Sequence, residues 1–122
     1  MILPIYTYGQ PVLRKQCEDF DPETYPELQQ LIENMYETMK RSEGVGLAAP
    51  QIGKAIRLAV IGLDDLKEDH PEYEGYLHAF INPHIVEVDD SEMVSMEEGC
   101  LSLPGIHEPV KRPARIRVKW LD

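Results

Sequence analysis

Leu28-Gln29-Gln30-Leu31-Ile32-Glu33-Asn34-Met35-Tyr36-Glu37-Thr38-Met39 decides how this chain is read. Leu28, Leu31, Ile32, Met35 and Met39 fall at offsets 0, 3, 4, 7 and 11, one apolar stripe of an α-helix, while Glu27, Gln30, Glu33 and Glu37 fall on other faces. The Asp21-Pro22 and Tyr25-Pro26 turns mark the helix start. Gly44 is expected just past its last turn, where a residue without Cβ tolerates positive φ.

Beyond the helix the period changes. Ile56-Arg57-Leu58-Ala59-Val60-Ile61 is a short apolar run, and Ala79-Phe80-Ile81 and Ile85-Val86-Glu87-Val88 flank an expected turn at Asn82-Pro83. Asp64 to Tyr76 is acidic and holds Pro71 and Gly75, the composition of a solvated loop. Ser91 to Glu98 and Glu108 to Lys111 supply further strand material. The last segment alternates, with Ile116, Val118 and Trp120 on one face and Arg115, Arg117 and Lys119 on the other. A half-buried strand with an open edge still needs cover, so residues 1–122 are expected to be a single, incomplete domain.

Composition narrows the function classes. The chain has 122 residues, 43% of them hydrophobic, and a formal net charge of −10, which disfavours an electrostatic grip on nucleic acid or anionic lipid. No run approaches the ~18 apolar residues of a membrane span, and Met1-Ile2-Leu3-Pro4 lacks the basic region of a signal peptide, so a cytoplasmic location is expected. Cys17 and Cys100 are far apart and show no C-x-x-C spacing, which indicates neither a disulfide framework nor a local metal knuckle.

Two segments could carry chemistry. In Gly44-Val45-Gly46-Leu47-Ala48-Ala49-Pro50-Gln51, small side chains permit close approach of another backbone, and Gln51 offers an amide N–H that can donate to a developing oxyanion. On composition alone this is as readily a helix stop and packed turn. In Glu97-Glu98-Gly99-Cys100-Leu101-Ser102 a lone thiol follows two carboxylates. A lone cysteine is often a small buried hydrophobe. Nearby carboxylates would raise its pKa, which disfavours a free thiolate nucleophile and favours metal coordination, because a bound cation deprotonates the thiol.

Together these segments resemble the signatures of the peptide deformylase family, the G-x-G-x-A-A-x-Q loop and the E-G-C-L-S segment, in the family's order. With Leu13-Arg14, the helix and the strand pattern, the resemblance covers essentially the whole chain. It implies an α+β fold, with mixed or antiparallel sheets around a helix, here cut before the H-E-x-x-H helix that binds metal. It also implies removal of the formyl group from the initiator methionine of new polypeptides, with N-formylmethionyl nascent peptides as partners. An amide is a poor electrophile, and a metal held by one Cys and two His supplies a hydroxide near neutral pH.

By this resemblance Cys100 is one ligand of a divalent metal, with iron expected and zinc or nickel as substitutes. Gln51 and the Leu101 N–H face the oxyanion, and Val45, Gly46 and Gly99 pair with the peptide as an added strand. Met96 and Leu101 line part of the methionine pocket. Glu98 and Arg112 form an ion pair, read either as a brace behind the cysteine or as an ordinary surface pair. His70, His78, His84 and His107 form no four-apart pair, and Pro109 and Lys111 spoil the start made by His107-Glu108. The two histidine ligands are therefore absent, and the chain alone is expected to be inactive and to self-associate through an uncovered sheet face. Two other readings are a truncated, non-catalytic peptide-binding or interaction module, and a cysteine hydrolase pairing Cys100 with His107.

Overall fold

The structure, a computed structural model, describes residues 1–121; the side chains of Glu97, Pro104, Ile106 and His107 are outside the described set. The apolar stripe forms helix α1, Leu28–Arg41, and a sheet follows: β1 Gly46–Ala48, β2 Leu58–Gly62, β3 Leu77–Cys100 and β4 Leu103–Leu121. The strands lie in the order β1-β2-β3-β4 and every neighbouring pair is antiparallel. One helix on an antiparallel sheet is the expected α+β class.

Leu31, Met35 and Met39 of α1 bury against Leu47, Ala49, Ile52, Leu58, Val60 and Ile81. Met35 and Val60 are fully inaccessible. Each such side chain stabilises the fold by about 1.5–3 kcal/mol through removal of apolar surface from water. Asn34 and Thr38 share the buried helix face. Thr38 Oγ1 donates to the Asn34 carbonyl at 2.7 Å and accepts the Leu3 N–H at 2.8 Å, so the N-terminal segment is tied across the helix.

The helix end differs from expectation. Glu43, not Gly44, takes the left-handed conformation, with φ 60°. The Gly44 N–H donates to the Met39 carbonyl and the Glu43 N–H to the Lys40 carbonyl, which is the Schellman arrangement. Gly44 instead lets Leu101 pack closely: a Cβ there would lie 2.9 Å from Leu101 Cδ1 and would displace it.

Asn82-Pro83 is likewise no turn between two strands. β3 runs through it as an irregularity, with a register shift between Ile81 and His84. Asn82 has φ 51°, which asparagine tolerates better than most residues. Its buried side chain accepts the Phe20 N–H at 3.0 Å and donates to the Phe20 carbonyl at 2.7 Å. Pro83 falls where the ladder is interrupted, so its missing N–H costs little. Between β2 and β3, the acidic segment holds two short 3-10 turns, Asp64–Leu66 and Pro71–Tyr73, and is largely exposed.

The long β3–β4 hairpin keeps the expected alternation. Ile85 pairs with Val118 and Val88 with Ile116, while Glu87 faces Arg117 and Asp89 faces Arg115. Like sides of the two strands therefore match apolar to apolar and acid to base. Among the described residues nothing buries the apolar side: Ile85, Val88 and Ile116 are more than half exposed.

Truncating Met35 to Ala should cost about 2–5 kcal/mol of unfolding free energy, read from the denaturant midpoint, because the cavity opens beneath an inaccessible side chain. The exposed Gln29→Ala on the opposite face should change it by less than about 0.5 kcal/mol.

Candidate active site

The two motif segments, far apart in sequence, meet at one place. Cys100 and Leu103 are paired across the tip of the β3–β4 hairpin, and Leu101-Ser102 makes the turn between them. The tip folds back onto the loop after α1. Leu101 packs against the core cluster and over Gly44, and Ser102 is buried at 5% exposure.

Gln51 reaches this tip from the 3-10 turn Ala49–Ile52, which Pro50 helps to start and Gly53, with φ 92°, ends. Its Oε1 accepts the Ala48 N–H at 3.0 Å. Its Nε2 donates to Ser102 Oγ at 3.2 Å and to Cys100 Sγ at 3.6 Å. The N-terminal segment straps the junction: the Tyr6 N–H donates to the Gln51 carbonyl at 2.7 Å and the Tyr8 N–H to the Ser102 carbonyl at 2.8 Å.

β1 is an edge strand of the described sheet. The Val45 carbonyl accepts the Gly62 N–H at 2.9 Å, so Val45 faces β2. By the alternation of a strand, the backbone groups of Gly46 then face the open edge. Gly99 lies on β3 immediately before Cys100. Met96, on the same strand, is 66% exposed, whereas Leu101 is turned inward.

Glu98 and Arg112 form a two-pronged pair, Nε to Oε2 at 2.6 Å and Nη2 to Oε1 at 2.7 Å. The pair is solvent-exposed, as expected of a surface bridge, but its geometry is the fork that fixes both planes. The Arg112 guanidinium holds the Glu98 carboxyl below the usual glutamate range, and Glu98 in turn raises Arg112.

Cys100 is an exposed free thiol, and Cys17 a half-buried one. Among the described residues no three of His, Cys, Asp and Glu come together in a way that could hold a metal ion. His84 is engaged by the Asp19 carboxylate at 2.8 Å, His70 lies 3.5 Å from Glu72, and His78 stacks in a cluster with Phe80 and Trp120. The His107 side chain is outside the described residues. Among the described donors read from the sequence, Cys100 stands at the junction. Sequence reading placed Gln51, Cys100 and Leu101 there but gave no role to Ser102, Tyr6 or Tyr8. Ser102 was legible as the last letter of the second motif; the strap has no periodicity or motif to reveal it.

Because Arg112 depresses the Glu98 pKa, the pair's contribution is present above the ordinary glutamate pKa and is lost as pH falls through the lower folded-state value. Carbon-detected NMR titration should give Glu98 a midpoint below that of a free glutamate, and Arg112→Gln should return it to the ordinary range. An unshifted Glu98 in the unsubstituted chain would contradict the pairing.

Comparison with known proteins gives a consistent result. The sequence profile of the polypeptide deformylase family matches residues 2–122. The peptide deformylase of Salinibacter ruber is 45% identical over all of this chain, and that of Flavobacterium psychrophilum 43%. The chain spans only 64% and 66% of the length of these two relatives. The crystal structure of the Thermotoga maritima peptide deformylase superposes with a TM-score of 0.84 at 38% identity, covering 98% of this chain and 74% of that one. A Met-Ala-Ser-bound deformylase from Acinetobacter baumannii superposes with a TM-score of 0.83 at 30% identity, covering 99% of this chain and 77% of the other. On the strength of a match that runs from residue 2 to residue 122, this chain belongs to the polypeptide deformylase family.

Proposed function

We propose that these residues form part of the active site of a metal-dependent amide hydrolase that removes the formyl group from the initiator methionine of nascent peptides in the cytoplasm. The observation that carries this reading is the Gln51 amide held 3.6 Å from Cys100 Sγ, since it joins the donor of one motif to the thiol of the other. Family membership favours this reading over a non-catalytic peptide-binding module.

In this reading the peptide lies along the open edge of β1 and meets Gly46, with Val45 and Gly99 flanking it, as one more strand. The relative that holds Met-Ala-Ser supports a peptide of that kind in the site. Gln51 Nε2 and the Leu101 N–H donate to the formyl oxygen as negative charge builds on it during attack at the carbonyl carbon. Both donors are set on packed elements, so little reorganisation is needed as the charge develops. Glu98 and Arg112 brace the strand that presents Gly99 and Cys100, and Met96 with Leu101 contributes to the wall for the methionine side chain.

Deformylases depend on a divalent metal, with iron expected here and zinc or nickel as substitutes, and the metal supplies a hydroxide near neutral pH. The described residues do not make a complete metal site. Cys100 is exposed and can supply one ligand, and among the described residues it belongs to no group of three such donors. The reading therefore requires further ligands, two histidines by the family pattern. The exposed apolar side of the β3–β4 hairpin gives the isolated chain a surface for self-association. In sedimentation velocity it should contain species larger than 14.0 kDa, and a monodisperse monomer would contradict this.

The test is a hybrid protein that joins these 122 residues to the part of the Salinibacter ruber relative they do not span. Loaded with iron or nickel, it should release formate from formyl-Met-Ala-Ser. Gln51→Ala should lower kcat about 100- to 1000-fold, the usual effect of losing one oxyanion donor. Cys100→Ala should abolish metal-dependent release. A folded, metal-loaded hybrid without activity, or one indifferent to both substitutions, would sink the proposal.

A further inference from the structure

We infer that Ser102 is the positioning residue that aims the Gln51 amide at the reacting centre. A backbone N–H can only donate, so the Ala48 N–H at 3.0 Å fixes which end of the Gln51 carboxamide is oxygen. Nε2 must then face the opposite way, toward the hairpin tip. There it has two acceptors, Ser102 Oγ at 3.2 Å and Cys100 Sγ at 3.6 Å.

These acceptors are unequal. Sulfur is a weak acceptor and Cys100 is exposed, so water competes for that contact. Ser102 is buried at 5% exposure, so water competes far less for its hydroxyl oxygen. One N–H of Nε2 is thus committed to Ser102, and the planarity of the amide directs the other toward Cys100.

The backbone around the contact is held by the strap. Tyr6 and Tyr8 lie two residues apart in the N-terminal segment, Tyr8 at the turn closed by the Gln10 N–H on the Thr7 carbonyl, and their N–H groups donate to the carbonyls of Gln51 and Ser102 respectively. The segment therefore sets the spacing of the two residues independently of their side chains. Replacing Ser102 Oγ would leave that backbone in place and free only the amide end, which would then be held at Oε1 alone. The orientation stands on these contacts, whereas its effect on turnover rests on the deformylase reading above.

Selective labelling of glutamine side chains with ¹⁵N tests the orientation directly. In the unsubstituted protein the Gln51 Nε2 protons should show cross-relaxation to the Ser102 β-protons. In Ser102→Ala their two shifts should move toward each other and toward those of a free amide, with backbone signals of α1 unchanged as a folding control. Ser102→Thr, which keeps the oxygen, should restore the original shifts. Missing cross-relaxation in the unsubstituted protein, or Gln51 signals unmoved by Ser102→Ala, would overturn the inference. In the active hybrid, Ser102→Ala should lower kcat at least tenfold with KM unchanged and Ser102→Thr should recover it; a rise in KM alone would also overturn it. A hybrid inactive in every form would count against the deformylase reading and leave the NMR result to decide the role of Ser102.

Discussion

The seat of the hairpin tip on the loop after α1 is the contact on which the candidate site depends. Leu101 packs directly over Gly44; a Cβ there would stand 2.9 Å from Leu101 Cδ1, so a larger residue would make the Leu101 side chain shift. Once Leu101 is seated, the two-residue turn buries Ser102 and presents Cys100 outward beside the Gln51 amide. Apolar packing supplies the free energy, since hydrogen bonds exchanged with water contribute little net, and the polar contacts supply direction. Neither motif makes the site without the other.

Stability is distributed unevenly around that seat. The buried apolar residues come from α1, β1, the 3-10 turn that carries Gln51, β2 and the first part of β3, and among the described residues β4 contributes none of them. The far part of the hairpin is held by cross-strand pairs, Ile85 with Val118 and Glu87 with Arg117 among them, whose individual contributions are small. The junction thus joins an anchored side, carrying Gln51, to a ladder-held side, carrying Cys100. The strap at Tyr6 and Tyr8 and the Glu98–Arg112 fork lie at that boundary. They restrain the part of the site that the core does not reach.

Much of this was legible in the sequence, for reasons that differ by element. The helix announced itself because Leu28, Leu31, Ile32, Met35 and Met39 keep one face, and the final strand because its charges and apolar residues alternate. The meeting of Gln51 and Cys100 was legible only through resemblance, since no local pattern predicts contact across 49 residues. Two readings failed on backbone detail. The left-handed residue after α1 is Glu43, because the Schellman hydrogen bonds place that position one residue earlier than the glycine. Asn82-Pro83 is a kink inside β3, because Asn82 trades the turn for two hydrogen bonds with Phe20. The strap was invisible, as its contacts are made by backbone groups that every sequence possesses.

The most direct measurement is a comparison of two peptides, formyl-Met-Ala-Ser and Met-Ala-Ser, by amide chemical-shift perturbation. If the junction is a formyl-binding site, the formylated peptide should shift the Gln51 side-chain amide and the Leu101 and Gly46 N–H signals, and the unformylated one should leave the Gln51 amide nearly unmoved. Equal effects of both peptides on Gln51, or perturbations confined to surfaces away from Gln51, Leu101 and Gly46, would contradict the account.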